Sequence, residues 1–287
     1  MAIRPASWDD LVPVVGFLAL RGRRLSGVAA ARADFLQAEW ERAAFTVGAD
    51  NWVAEDGGAL TGYAALTPRG DIVLAAATAD LEDELLCIAV ARGRANGHAT
   101  VRLTVTPDEP DLGALVRRHP FTRETETLRM WRTLRGPLPA AEWPDDVTCR
   151  TYGPSDALSV HALLDEAYGA WDRQYVPLAH DDWVQWMTGD PEYNPTVWLL
   201  AECDGALAGC ALHWSSGWLK DIAVAADERR RGIGTALLAT GLAEFARRGV
   251  SRVGLKVDAD NPTGATRLYE SFGFMTDRRE AIWALSL

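Results

Sequence analysis

The feature that most constrains the fold is a repetition, because the second half of the chain echoes the first at an offset of roughly 150 residues. Three pairs of segments correspond in the same order: IRPASWDDL (3–11) with CRTYGPSDAL (149–158), WVAEDGGALTGYAAL (52–66) with WLLAECDGALAGCAL (198–212), and LVRRHPFTRETETLRMW (115–131) with LYESFGFMTDRREAIW (268–283). The middle pair shows alternating apolar runs around an Asp-Gly turn, which is typical of a β-hairpin. The chain is therefore predicted to contain two copies of one α/β unit.

Each copy reads as a strand, one or two helices, a hairpin, a further strand, a helix, a strand, a helix and a closing strand. This order predicts a mixed sheet with helices packed on it. The stretch RGPLPAAEWPDD (135–146) has three prolines in twelve residues and no apolar periodicity, so it is predicted to be a linker. The predicted division is a first domain at 1–134, the linker at 135–146 and a second domain at 147–287.

Composition narrows the class of protein. The chain has 287 residues, 48% of them hydrophobic, and a formal net charge of -11. No run of 18 apolar residues occurs, and the cysteines form no metal-site pattern, so we expect a cytoplasmic protein with reduced thiols and with no metal or membrane partner. The acidity argues against nucleic acid as a partner and suits cationic small molecules, although net charge can also serve solubility alone.

The segment DERRRGIGTALLATGL (227–242) concentrates positive charge where a predicted strand (217–226) turns into a predicted helix (234–249). A helix N-terminus offers unpaired amides and a partial positive charge, glycines allow close approach to the backbone, and arginines bind phosphate oxygens. The turn is therefore a candidate pyrophosphate site. The alternative is a solvated basic turn whose glycines serve backbone geometry.

Two motifs in this half resemble the Gcn5-related N-acetyltransferases. DIAVAADERRRGIGTALL (221–238) matches their acetyl-CoA signature, Gln/Arg-x-x-Gly-x-Gly/Ala, and LKVDADNPTGATRLYESFGF (255–274) matches their second element. The resemblance covers 147–287 and, more faintly, 1–134. It implies two tandem folds of this family, each an α/β (α+β) arrangement with a mixed, mostly antiparallel sheet flanked by helices, and acetyl-CoA as cofactor.

The resemblance also implies residue roles. Main-chain groups of the strand would line the pantetheine arm, the turn would hold the pyrophosphate, and an asparagine after the next strand would contact the cofactor. These residues are Ile222, Ala223 and Val224, then Arg229, Arg230, Arg231, Gly232, Ile233, Gly234 and Thr235, and finally Asn261. Tyr269 would protonate the departing thiolate of coenzyme A. The alternative for Tyr269 is an ordinary half-buried aromatic residue on a helix.

The first copy lacks these features. Aligning the helices places Asp80 and Glu82 opposite Gly232 and Gly234, and carboxylates at a helix N-terminus satisfy its dipole and repel a pyrophosphate. Val116 takes the position of Tyr269 and has no proton to give. The first copy is therefore predicted to be a degenerate domain of the same fold, with a second cofactor site left as a less favoured alternative.

An amine acceptor must lose a proton before it attacks a thioester, so a carboxylate is expected near the acetyl group. Asp221 is the candidate base or amine ligand, against the alternatives of solvation at a strand edge or a structural ion pair with Lys220 or Arg231. The acceptor is expected to bind at the aromatic and acidic segment after the first helix (163–187), with His213 as a further candidate. The candidate acceptor residues are Glu166, Tyr168, Trp171, Asp172, Trp186 and His213. Their alternative is core packing for the aromatic residues and solvation for the acids.

Together these features predict an N-acetyltransferase that acts on a small cationic amine, such as an amino sugar or an amine-bearing antibiotic, by direct attack in a ternary complex. Acetylation of a protein or peptide amine, and a non-catalytic acyl-CoA-binding module, are the alternatives. A homodimer is common in the family that the chain resembles.

Overall fold

The structure is a computed structural model that describes residues 2–26, 32–42, 44–171 and 175–287. The chain divides into two compact units. Unit 1 contains Met1–Thr127 together with Arg279–Leu287, and unit 2 contains Leu128–Arg278. The last residues of the chain therefore belong to the unit that the first residues build.

The elements of the first half follow the predicted order. They are β1 (Ala2–Pro5), α1 (Leu11–Ser26), α2 (Ala33–Trp40), β2 (Asn51–Asp56), β3 (Ala59–Leu66), β4 (Asp71–Ala76), α3 (Ala79–Ala95), β5 (Thr100–Val105), α4 (Pro110–Arg118) and β6 (Thr122–Thr133).

The same order then recurs. The second half contains β7 (Val147–Thr151), α5 (Ala157–Gly169), α6 (His180–Thr188), β8 (Leu199–Cys203), β9 (Ala206–His213), β10 (Trp218–Val224), α7 (Ile233–Arg247), β11 (Arg252–Asp258), α8 (Ala265–Ser271) and β12 (Met275–Ser286).

In unit 1 the strands lie in the order β1-β2-β3-β4-β5, followed by the part of β12 that belongs to this unit. Neighbouring strands are antiparallel except for β4 and β5, which are parallel. Residues 281–286 of β12 pair with 100–105 of β5. A buried cluster that includes Leu81, Leu85 and Leu103 packs α3 against this sheet.

In unit 2 the strands lie in the order β7-β8-β9-β10-β11, and residues 128–133 of β6 follow β11. The neighbouring pairs β7–β8, β8–β9 and β9–β10 are antiparallel, and β10 and β11 are parallel. Helix α7 packs Leu237, Leu238 and Phe245 into the core. The predicted α/β fold with a mixed, mostly antiparallel sheet is therefore confirmed in each unit.

Each unit contains an ion cluster of the same kind, in addition to having the same topology. In each, an arginine on the first strand bonds a carboxylate at the start of the first helix and a carboxylate on the neighbouring strand. The residues are Arg4, Asp10 and Glu55 in unit 1 and Arg150, Asp156 and Glu202 in unit 2. The amides of Ser7 and Gly153 donate to the two aspartates at 2.7 and 2.8 Å. This match explains the first echo in the sequence, because an arginine on the strand and an aspartate six residues later recur in both copies.

The compact units differ from the predicted domains at the closing strands. The predicted copies, 1–134 and 147–287, are consecutive along the chain, whereas most of β12 lies in unit 1 and the second half of β6 lies in unit 2. Residues 135–146 form no helix or strand, as expected of a linker. The division into two sequence copies stays a prediction. None of the helices in the described ranges is long and apolar enough to span a membrane.

Candidate active site

A cavity of about 560 Å³ in unit 2 opens where β10 and β11 separate. Trp218 and Leu219 of β10 pair with Gly254 and Leu255 of β11. The pairing of β10 with β9 shifts by one residue between Leu219 and Asp221, which makes Lys220 the extra residue of a β-bulge. A bulge bends its strand, so β10 leaves β11 from this point and both strands line the cavity.

The start of α7 closes one end of the cavity. Gly232 precedes the helix with φ +90, and Arg230 has φ +64, so the turn needs left-handed backbone at both residues. The amide of Ala236 makes the first backbone bond of the helix, to the Gly232 carbonyl at 2.9 Å, which leaves the amides of 233–235 without a helical partner. Arg229 and Arg230 line the same end. These features fit a diphosphate, which accepts hydrogen bonds from amides and guanidinium groups.

Arg231 departs from its predicted role. Its guanidinium bonds Asp146 at 2.6 Å and also pairs with Glu228, and it is absent from the described lining of the cavity. The middle and first arginines of the run therefore face the cavity, while the third holds the end of the linker. Arg230 has left-handed backbone, a conformation that its residue type does not reveal in the sequence.

Asp221 lies at the bulge with its side chain largely buried. The Tyr168 hydroxyl donates to its Oδ1 at 2.8 Å, and the Lys220 ammonium lies 3.2 Å from its Oδ2. The ion pair with Lys220, one of the alternatives from sequence, is therefore present. Burial and the Asp221 charge raise the pKa of the Tyr168 phenol well above its usual value, so this hydroxyl keeps its proton as the donor.

Tyr269 lines the same cavity from α8 and is 5% exposed. Its ring lies 5.8 Å from the Phe274 ring, centroid to centroid. Burial, with a smaller contribution from the Asp221 charge, raises the pKa of its phenol above the ordinary value. A phenol in this state holds a proton at neutral pH and can give it to a thiolate formed beside it.

Most of the predicted site residues come together in this cavity. The lining includes Tyr168, Trp171, Ile222, Ala223, Val224, Arg229, Arg230, Gly232, Ile233, Gly234, Thr235, Asn261 and Tyr269. The side-chain oxygen of Asn261 accepts the Thr263 amide at 2.9 Å and so shapes the turn that leads into α8.

Four of the predicted acceptor residues are not among the described residues that line the cavity. Glu166 is exposed on α5 and lies outside the described lining. Trp186 also lies outside that lining, and the Nζ of Lys220 is 4.8 Å from the centroid of its ring. His213 is buried in the core, where its Nδ1 lies 3.2 Å from the Val197 carbonyl oxygen and burial lowers its pKa to about 4. His213 packs against α7 at Gly241, so its role there is packing. Asp172 lies outside the described residues.

The sequence reasoning missed Glu228, Lys256 and Asp258 as lining residues, and it treated Lys220 only as a possible ion-pair partner. A signal for the lysines was available in the composition. Of 29 lysine and arginine residues only two are lysines, Lys220 and Lys256, and both line the cavity.

The corresponding part of unit 1 is built differently. Gly62 on β3 would place a Cβ 2.9 Å from Leu85, and Gly209 on β9 would place one 3.2 Å from Leu237, so these leucines occupy equivalent positions. This correspondence sets Asp80 and Glu82 against Gly232 and Gly234, as the sequence alignment predicted.

Unit 1 fills the equivalent helix start with its own groups. Thr78 is the N-cap of helix α3, and its side-chain oxygen accepts a hydrogen bond from the Leu81 amide at 3.4 Å. The buried Glu82 carboxylate lies 3.8 Å from the Arg21 guanidinium, and burial raises the pKa of Glu82.

The residue of unit 1 that corresponds to Asp221 follows from strand register. Counted from the equivalent glycines of β3 and β9, Val73 on β4 takes the position that Asp221 has on β10. Unit 1 therefore carries valine at the position of the candidate base.

Comparisons with known proteins agree with this geometry. Residues 158–274 match the model of the acetyltransferase (GNAT) family. The chain is 33% identical over 239 residues to a mycothiol acetyltransferase of Kineococcus radiotolerans, covering 77% of each chain. It is 34% identical over 197 residues to a mycothiol acetyltransferase of Thermobispora bispora, covering 62% of this chain and 63% of that one.

Solved structures show the same fold over the whole chain. A GCN5-related N-acetyltransferase from Sphaerobacter thermophilus superposes with a TM-score of 0.80 at 24% identity, covering 99% of this chain and 95% of that one. A tandem GNAT protein from the clavulanic acid biosynthesis pathway gives 0.74 at 18% identity, covering 99% and 98%. The predicted tandem fold is thereby confirmed, and the chain belongs to the acetyltransferase (GNAT) family.

Proposed function

We propose that unit 2 transfers an acetyl group from acetyl-CoA to a primary amine of a small acceptor, by direct attack in a ternary complex. The observation that carries this proposal is the convergence of the helix start of α7 and the protonated phenol of Tyr269 on one cavity. The buried carboxylate of Asp221 lies beside that cavity, in contact with the lining residues Tyr168 and Lys220. A phosphate site, a base and an acid are the groups that this reaction requires.

The cofactor would lie along the opening between β10 and β11. The amides of 233–235 with Arg229 and Arg230 would hold its diphosphate, and the β10 backbone at 222–224 would hold its pantetheine arm. Acetyl-CoA supplies an activated acetyl thioester. Asp221 takes a proton from the acceptor ammonium, and Tyr269 gives a proton to the departing thiolate.

The acceptor end of the cavity combines a carboxylate with aromatic faces. Tyr168 and Trp171 line it, and Asp221 supplies negative charge, which suits a cationic amine such as an amino sugar or an amine-bearing antibiotic. The relatives named mycothiol acetyltransferase make an acceptor related to mycothiol a second candidate. For unit 1 we propose a supporting role, because Thr78, Glu82 and Arg21 occupy its helix start.

A screen of coenzyme A release tests the proposed function. The purified chain is mixed with acetyl-CoA and with amino sugars, aminoglycoside-type antibiotics, polyamines, mycothiol-related amines or N-terminal peptides. We expect release with at least one class of small amine, and initial-rate lines that intersect when both substrates are varied. Release with peptides alone would point to protein acetylation, and acetyl-CoA binding without release to any amine would point to a binding module.

A further inference from the structure

The two lysines of the chain are the starting observation. Among 29 basic residues of the lysine and arginine type, the chain uses lysine only at 220 and 256, and both residues line the cavity. The two residue types are not equivalent in chemistry, because a lysine can lose its proton and become a nucleophilic amine whereas an arginine stays protonated. The cavity thus concentrates the only side-chain primary amines of the protein.

Lys220 is placed as an amine acceptor would be. Its Nζ lies 3.2 Å from Asp221 Oδ2 and 4.8 Å from the centroid of the Trp186 ring. The ammonium therefore has a carboxylate on one side and an aromatic face on another, which is the environment proposed for the acceptor amine. Lys220 is the extra residue of the β-bulge and Asp221 is the next residue along the strand. The contact between them therefore lies at the irregular point of β10.

We propose that unit 2 acetylates its own Lys220 when no acceptor occupies the cavity. This inference rests on the proposed function, since it uses the same base and the same acid. Asp221 takes one proton from the Lys220 ammonium, and the neutral amine attacks the thioester carbonyl of acetyl-CoA. A C–N bond forms and the C–S bond breaks. Tyr269 protonates the thiolate and is reprotonated by the second proton that leaves the nitrogen, so one proton is released overall.

Lys256 provides an internal comparison. It lies on β11, across the opening from β10, and its side chain is exposed. The contact between the Lys220 ammonium and Asp221 puts the proposed base within reach of this amine. The proposal therefore requires selectivity between two lysines that border the same cavity.

Acetylation of Lys220 would change the acceptor site. The product is a neutral amide, so Asp221 would lose its cationic partner and keep the hydrogen bond from Tyr168. A bound cationic acceptor competes with Lys220 for Asp221 and is therefore expected to slow the modification.

The test uses the full chain with acetyl-CoA and no acceptor. Intact mass and peptide mapping follow acetylation at Lys220, at Lys256 and at the N-terminus, and the urea-unfolded chain reports the intrinsic reactivity of each amine. We expect Lys220 to react at least ~10-fold faster than Lys256 in the folded chain, and no such preference in urea. Lys220→Arg keeps the charge and should abolish this signal, while Tyr269→Phe should slow it.

The outcomes separate this inference from the proposed function. If an amine from the screen is acetylated while Lys220 stays unmodified, or reacts no faster than Lys256, self-acetylation is wrong and the function stands. If Lys220 is acetylated while no amine in the screen is accepted, the inference stands and the small-acceptor function is overturned. If neither reaction occurs, both are overturned.

Discussion

At the scale of single residues, the protonation states of the side chains around the cavity determine which of them can donate a proton in the proposed acetyl transfer. Tyr168 and Tyr269 both have raised pKa values because they are buried near Asp221, and Tyr168 uses its proton to hold that carboxylate. Tyr269 has no such partner among the described hydrogen bonds, which leaves its proton for the reaction. The sequence motif named both Asp221 and Tyr269, but only the structure shows that one influences the pKa of the other.

Replacing Tyr269 by Phe tests its role. Because the phenol is protonated at neutral pH and lines the cavity, the variant loses the proposed proton donor and kcat should fall by about 100-fold. The dissociation constant of acetyl-CoA, measured by calorimetry, should stay nearly unchanged. Tyr193→Phe is the matched control, since Tyr193 packs on Trp198 away from the described lining. Unchanged turnover in Tyr269→Phe would remove this residue from the mechanism.

At the scale of elements, the start of α7 shows how the arginine and glycine motif is arranged at the proposed diphosphate site. The glycines and arginines were recognised from sequence, yet Arg231, which stands between the left-handed residues Arg230 and Gly232, bonds Asp146. No side chain contacts the position of a Cβ on Gly232, so this glycine is required for its φ of +90 and for access to the amides.

Gly232→Ala should therefore weaken acetyl-CoA binding. An alanine at φ +90 costs about 1 kcal/mol of strain, and relief of that strain would move the amides of 233–235. We expect the dissociation constant to rise by about 10-fold in calorimetry. Gly249→Ala is the control, because Gly249 also has positive φ and open space but follows the other end of α7. Equal affinity in both variants would contradict a cofactor role for this turn.

At the scale of the whole molecule, two units of one topology differ in chemistry. Unit 2 has an open helix start, Asp221 and Tyr269, whereas unit 1 has a capped helix start and a buried Glu82 beside Arg21. A buried carboxylate at this position opposes a phosphate group, since like charges repel strongly where water is scarce.

The chain should bind one acetyl-CoA molecule. Calorimetric titration is expected to give a single site per chain, and Arg230→Ala should lower the affinity of that site without changing the number. Two sites in the native chain, one of them insensitive to Arg230→Ala, would show that unit 1 also binds the cofactor and that Arg21 and Glu82 rearrange to admit it.

The sequence by itself determined the repeated topology, and it identified the turn proposed to bind phosphate and the candidate residues Asp221 and Tyr269, because periodicity, turn glycines and short motifs are local properties of a chain. Only the tertiary structure decided that β10 and β11 separate after Leu219, that His213 is a core residue, and that most of β12 belongs to unit 1. It also brought the Tyr168 hydroxyl onto Asp221. These outcomes depend on strand register and on burial. Residues that are distant in sequence determine both properties together, so no single segment encodes them.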